Sequence, residues 1–329
     1  MVVDPGVDIL VVSIPGTLGW RTGARELTTA FERTGARTAH VEAKPPRDVR
    51  TFMLTDLVQA SAARKAALVG SGAHRPDWIV YCSTTAALLW DRPGPIWLDG
   101  TAAVNRPGRH GWWQRPLERR RLARAPLVLT WSPRALDGFD GPHGEQVVVP
   151  VPVEPSGPVD GPRELDAVAY VADPVKRRLD FLLDSWHRAR QDAETLTVAG
   201  IERPDEEGVR FLGRVDPEEY RALLRRARLY VTAARREEYG IAALEALDDG
   251  AKLVTTPAAG AYPALELARS LDPRLVDEDL VPAIRAALDA PRDGYAARAA
   301  QLLAPYRREA VSATLSERVL PILLPGWRG

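Results

Sequence analysis

The chain predicts an α/β fold class: two doubly wound domains in tandem, each with a mostly parallel sheet. Strand-like apolar runs alternate with helix-like periodic stretches from one end to the other, the mark of strands covered by helices on both faces. The alternation breaks once, in a Pro/Gly-rich stretch over residues 150–162, and then restarts. At 329 residues the chain also exceeds what one hydrophobic core usually holds.

The elements follow in order. Residues 7–14 form a nearly continuous apolar run ending in Pro15-Gly16, as a strand buried on both faces should. A helical pattern over 24–33 stops at Gly35. Strands are expected at 38–42, 78–82, 96–99, 127–131 and 146–151, with a helix at 55–68. After the Pro-rich break, strands are expected at 167–172, 195–199, 209–212 and 229–233, and helices at 177–190 and 241–249. A further helix begins after Asp216, a capping residue, with Pro217 at the first helical position and Glu219 where a capping-box carboxylate belongs. Its apolar face is Tyr220, Leu223, Leu224 and Ala227. The domains expected are 1–153 and 154–329, with the last ~20 residues crossing back to the first domain.

Composition narrows the function classes. Forty-four basic and 44 acidic residues cancel, so no global field points to nucleic acid. The single cysteine, Cys82, forms no intrachain disulfide, which fits a reducing compartment. No basic leader precedes the first apolar run and no run is long enough to span a bilayer, so a cytoplasmic location is expected. Neither a His/Cys cluster nor an Asp-x-Asp run with metal spacing occurs, and neither metal nor cofactor is expected.

The most informative stretch is 235–256, RREEYGIAALEALDDGAKLVTT. A strand leads in and a helix leads out. Glu237 lies in the loop at the helix mouth, and Glu245, eight positions on, is a little over two helical turns away. Gly240 between them lets the backbone approach a ligand where the first helical N–H groups favour an anion. Two carboxylates beside such a helix start suit a polyhydroxylated sugar attached to a diphosphate.

This arrangement resembles the Glu-x7-Glu motif of the group 1 glycosyltransferases, a retaining family of GT-B architecture. The resemblance covers most of the second half and the first half in outline. It implies two Rossmann-like domains with the active site in the cleft between them: an acceptor-binding first domain and a nucleotide-sugar-binding second domain. Glu237 matches the carboxylate that holds donor sugar hydroxyls, and Glu245 the one that accepts hydrogen bonds from the ribose. Tyr239, Gly240 and Ile241 match the segment whose N–H groups meet phosphates and sugar. Lys176 and Arg177 supply the cations for the donor diphosphate, with Asp173 standing where the family usually has Arg. Phe211 to Val215, including Arg214 and Val215, is similar to the loop that reads the base, and Gly16 to Gly19 to a shortened glycine-rich loop facing the donor phosphate and acceptor. Where many members carry a His after a first-domain strand, this chain has Asp99, and Asp99 is favoured over His110 for that polar contact with the donor sugar. Further departures are Glu238 in place of Gly, Ala242 in place of Pro, and 232–236 in place of a Ser-Pro-Ser run.

The implied function is metal-independent, retaining transfer of a sugar from a nucleoside-diphosphate sugar to a hydroxyl of a glycan, glycolipid or small molecule. In such transfer the departing phosphate is thought to deprotonate the acceptor, so no separate general base is assigned. Two alternatives stand beside it: a non-catalytic homologue that binds sugar nucleotides or partners an active subunit, and a sugar-nucleotide epimerase on the same fold. The basic run Arg115, Arg119, Arg120, Arg121 and Arg124 admits two readings, weak peripheral contact with anionic lipid at the inner membrane face or a solvated helix face.

Overall fold

The computed structural model describes residues 6–16, 18–44, 52–106, 108–158 and 161–327. The chain divides into two compact units, 1–152 together with 308–329, and 153–307.

The first unit begins with β1 (Ile9–Ser13), α1 (Leu18–Arg33), β2 (Thr38–Glu42), α2 (Phe52–His74) and β3 (Trp78–Cys82). It continues through α3 (Thr84–Ala87), β4 (Ile96–Leu98), α4 (Ala102–Asn105), a 3-10 turn (Gly108–Gly111), α5 (Gln114–Leu122), β5 (Leu127–Thr130) and β6 (Glu145–Val148). The six strands are all parallel, in the order β2-β1-β3-β4-β5-β6. Every residue of β1, β4 and β5 is buried, which is why these strands read as unbroken apolar runs. Their side chains and those of β3 form one core of Leu10, Val12, Ile79, Tyr81, Ile96 and Val128.

The second unit holds β7 (Leu165–Tyr170), α6 (Leu179–Ala189), β8 (Leu196–Ala199), β9 (Val209–Gly213), α7 (Pro217–Arg226) and β10 (Ala227–Thr232). It ends with α8 (Ile241–Asp248), β11 (Lys252–Thr255), α9 (Pro263–Leu271), α10 (Leu280–Asp289) and α11 (Tyr295–Leu302). Its parallel sheet runs β11-β10-β7-β8-β9. Counted within the unit from the β9 edge this is 3-2-1-4-5, so the strand order reverses between β7 and β10. In open sheets of this kind ligands bind beyond the C-terminal strand ends at that reversal.

The chain then returns to the first unit as α12 (Arg308–Thr314), a π turn (Leu315–Val319) and α13 (Leu320–Leu323). α12 packs on α1, with Arg308 bridging both carboxylate oxygens of Glu26 at 2.7 and 2.8 Å. The Trp78 indole N–H donates to the Leu323 carbonyl.

One local expectation is corrected. Asp216 is the N-cap of α7, but its side chain makes no capping hydrogen bond, so the cap rests on Pro217 and the acidic first turn. The Pro-rich stretch is irregular and anchored, with Val151 and Val153 buried. The Val153 N–H donates to Tyr306 O at 2.9 Å, and both the Ser156 N–H and hydroxyl donate to Asp249 at 2.9 Å. Of that stretch, residues 159 and 160 lie outside the described residues, as does Thr17 of the glycine-rich loop. Among the described residues no helix is long and apolar enough to cross a membrane.

Leu320 of α13 is fully buried. Leu320→Ala is expected to cost about 2–5 kcal/mol, as for other buried leucines. Hydrogen–deuterium exchange should show the loss in β1 to β3 and leave β7 to β11 unchanged.

Candidate functional site

In the second unit the site is built where the strand order reverses. The loop after β7 turns at Asp173, whose carboxylate accepts from the Val175 and Lys176 N–H groups at 3.0 and 2.9 Å. Asp173 thus shapes the turn that presents Lys176 and Arg177. Arg178 follows with φ 50 and caps α6, its guanidinium 3.8 Å from the Phe181 ring centre.

The loop after β10 supplies the partner. Glu237 is 7% exposed, and its carboxylate pairs with the Arg177 guanidinium and lies 3.8 Å from the Lys176 ammonium. Burial opposes the charge on Arg177, yet Glu237, Tyr230 and Tyr262 hold its pKa above the usual value. The backbone of Glu237 is clamped on both sides: its N–H donates to Ala259 O at 2.9 Å and its carbonyl accepts from the Tyr262 N–H at 3.3 Å. Glu238, the bulky departure from the family pattern, is held aside by Arg236 at 2.6 Å.

α8 starts at Gly240, in the left-handed region with φ 77. A side chain there would clash, since a Cβ would sit 2.4 Å from the buried Tyr262 ring. The position therefore requires glycine for both conformation and space. The helix's first N–H groups have no intrahelical acceptor and open beside Glu237. Tyr239 is buried, its ring 6.5 Å from Tyr306.

Glu245 projects from α8 towards α7, where Arg221 Nη1 lies 3.6 Å from it. Arg221 also binds the fully buried Asp249 at 2.5 Å, and Arg307 makes a two-pronged pair with Asp248 at 2.6 and 2.8 Å. Burial raises the Glu245 pKa to about 7, with Arg221 pulling it down and Asp249 and Asp248 pushing it up. Tyr230 on β10 lies within electrostatic reach of Arg177, Glu237 and Glu245, and burial pushes its own pKa to about 12. The second unit therefore brings Glu237, Lys176, Arg177, Gly240 and Ile241 together, with Glu245 further along α8. Arg214 and Val215 lie in the loop after β9, Arg214 exposed.

In the first unit Asp99 follows β4 and accepts a hydrogen bond from the Trp20 indole N–H at 3.1 Å. Both line a shallow, solvent-open depression beyond the C-terminal strand ends, with Ser83, Thr85, Asn105 and Gln114 among its walls. Gly16 is half-buried, and a Cβ there would meet the Trp20 ring at 2.7 Å, so the glycine lets this indole lie against the chain. Of His110 only the backbone, in the 3-10 turn, is among the described residues. Cys82 is buried, its thiol pKa raised by burial.

Residues 166–290 match the family model of the group 1 glycosyl transferases. That match spans 125 of the chain's 329 residues. Among solved structures it is similar to WaaG, a glycosyltransferase involved in lipopolysaccharide biosynthesis, at 15% identity over 94% of this chain and 99% of that one, with TM-score 0.68. It is also similar to an α,α-trehalose-phosphate synthase from Burkholderia xenovorans (13% identity, 93% and 98% coverage, TM-score 0.65). A third is sucrose-phosphate synthase from Thermosynechococcus elongatus (14%, 94% and 97%, TM-score 0.62). At these identities the likeness establishes the fold, which is GT-B. No curated protein sequence matches the chain.

The matched segment contains every second-unit residue singled out from the sequence. Sequence reasoning missed Arg221, Asp249 and Tyr262 of the matched segment, and Asp56, Arg106 and Gln114 of the first unit. Their partners are mostly far along the chain, so no short motif announces them. Trp20, four positions after Gly16, carried a local signal that the glycine-rich reading passed over.

Glu245 keeps its proton to higher pH folded than unfolded, since its pKa rises from 4.5 to about 7. Its contribution to stability is therefore full below pH 4.5 and is lost as pH rises through about 7. A side-chain carbon NMR titration of Glu245 should show a midpoint near 7, and Arg221→Met should move that midpoint higher.

Proposed function

We propose that the protein is a retaining, metal-independent glycosyltransferase that moves a sugar from a nucleoside-diphosphate sugar to an acceptor hydroxyl. The observation that carries this is the meeting of Lys176, Arg177 and Glu237 beside the Gly240 helix mouth, at the point of strand-order reversal.

The chemistry follows from charge. As the diphosphate leaves, negative charge grows on its oxygens while the sugar carbon becomes cationic. Lys176, Arg177 and the N–H groups at the start of α8, Ile241 included, stabilise the leaving anion. Glu237 orients the sugar through its hydroxyls, and its clamped backbone fixes where the carboxylate stands. Tyr239 and Gly240 shape that wall. Glu245 accepts from the ribose hydroxyls, and Arg214, Val215 and Gly16 complete the donor contacts. Asp99 is the first-unit carboxylate assigned to the reacting sugar. The leaving phosphate takes the acceptor proton, so no general base is assigned. Resident cations in the protein take the charge-neutralising role that a metal ion serves elsewhere.

The acceptor is a glycan, glycolipid or small molecule. A glycolipid acceptor is supported by exposed residues on and beside α5: Pro116, Arg119 and Arg120 on the helix, Trp112 (64% exposed) just before it and Arg124 just after it. Such a surface fits anionic headgroups at the inner face of the membrane, in the cytoplasm. Wild type should cosediment with vesicles containing phosphatidylglycerol, and Arg119→Glu/Arg120→Glu/Arg124→Glu should not. Equal retention of both would remove the membrane contact from this reading.

Glu237→Gln is expected to reduce sugar-nucleotide turnover roughly 100-fold, as misplacement of a reacting group does. Nucleoside-diphosphate affinity should hold or rise, because the carboxylate that competes for Lys176 and Arg177 has lost its charge. Product NMR should show the donor's anomeric configuration, and turnover should survive EDTA. An inverted product or loss of turnover in EDTA would overturn the corresponding part of the mechanism.

A further inference from the structure

Lys252 opens β11, the edge strand of the second sheet. It stands at the N-terminal strand ends, the opposite end of the sheet from Arg177 and Glu237. The residue is half-buried. Among the described residues no carboxylate lies within ion-pair distance of its ammonium, and no acceptor within hydrogen-bond distance. Burial penalises such a charge unless a partner offsets it.

The charged neighbours of Lys252 are cations instead. Arg163, two residues before β7, is fixed by backbone carbonyls: Nη1 donates to Ala227 O at 2.7 Å and Nη2 to Asp249 O at 3.0 Å. Gly250, with φ 81, leaves room for it, since a Cβ there would sit 2.2 Å from Arg163 Nη2. Arg228 on β10 donates to Asp166 Oδ1 at 3.0 Å and to Leu288 O at 2.9 Å. In both guanidiniums the Nε–H has no acceptor among the described residues.

The carboxylates of the elements packed round β11 are engaged elsewhere. Asp272 pairs with Arg274 and Arg292 at 2.7 and 3.4 Å, Asp289 with Arg285, and Asp249 with Arg221 at 2.5 Å. The Tyr295 hydroxyl of α11 accepts from the Leu253 N–H at 3.3 Å. Burial and repulsion from Arg163 and Arg228 act in the same direction, holding the Lys252 pKa below its usual value. An amine kept neutral beside other cations is a nucleophile. The two guanidiniums in turn favour an electrophile that carries negative charge.

We propose that Lys252 is an acylation site selective for acyl phosphates. The amine nitrogen attacks the acyl carbon, and the C–N bond forms as the C–O bond to phosphate breaks. Phosphate leaves with that electron pair, the amine proton passes to water, and an uncharged amide replaces the ammonium. Arg163 and Arg228 attract the phosphate end and stabilise it as it departs. No residue of the proposed donor site takes part, so the inference stands apart from the glycosyl-transfer reading.

The test is acetylation of the full chain by acetyl phosphate near neutral pH, read site by site by peptide mass spectrometry. Exposed Lys65 on α2 is the internal reference, and p-nitrophenyl acetate is the uncharged reagent. With acetyl phosphate Lys252 should react about threefold faster than Lys65 or more, the scale of one partly screened charge interaction. Its rate should level off at a lower pH than that of Lys65. The ratio of Lys252 to Lys65 should fall with p-nitrophenyl acetate, and fall with acetyl phosphate in Arg163→Gln. Arg228→Gln takes the place of that variant if it fails to fold. Labelling of Lys252 no faster than Lys65 by acetyl phosphate overturns the proposal, and so does an unchanged ratio in the folded variant. A ratio equally high with the uncharged ester overturns the selectivity for acyl phosphates.

Discussion

Arg177 and Glu237 meet across the strand-order reversal of the second sheet, and the site is organised around that ion pair. One charge comes from the loop after β7 and the other from the loop after β10. Each is largely buried, so neither is tolerable alone: removing one partner of a buried pair typically costs about 3–5 kcal/mol. The rest of the loop structure serves to hold them. Asp173 folds the turn on one side, Ala259 and Tyr262 clamp the backbone on the other, and Gly240 admits the Tyr262 ring beside the helix start.

Under the proposed function, the same pair suits the site to a ligand that is anionic at one end and hydroxyl-rich at the other. A diphosphate is a stronger partner for Lys176 and Arg177 than one carboxylate, because it offers more oxygens and more charge. In the proposed reaction the cations turn to it, and Glu237 is released to accept from sugar hydroxyls. Further along α8, Glu245 sits in a network whose net charge is set by Arg221, Asp248, Asp249 and Arg307. Its raised pKa reflects burial among like charges, and a hydroxyl pair that donates to it would favour the ionised form.

The fold was legible because parallel strands buried on both faces leave apolar runs that need no partner to be recognised. Residues 78–82 and 38–42 were read to the residue, and most other strands within two residues. Helix caps were less legible: Asp216 has the right identity and spacing, yet its side chain makes no capping bond. In the site, Glu237, Lys176, Arg177 and Gly240 were visible through a local motif. Asp173 looked like a loss of charge, and only the turn geometry shows that it presents the cations. Gln114 and Asp56 are 58 positions apart and Arg221 and Asp249 are 28 apart, and pairings at that range leave no periodic or local trace. The first-unit depression was thus read as little more than Asp99 after a strand.

The most direct test of the central claim is calorimetric titration of nucleoside diphosphates into wild type and Arg177→Met, at one pH above 7. The account requires one diphosphate to bind wild type and to bind the variant about 10–100-fold more weakly, the worth of a charge-assisted hydrogen bond. If the folded variant binds as tightly as wild type, the Arg177–Glu237 pair is an ordinary structural ion pair and the donor site lies elsewhere.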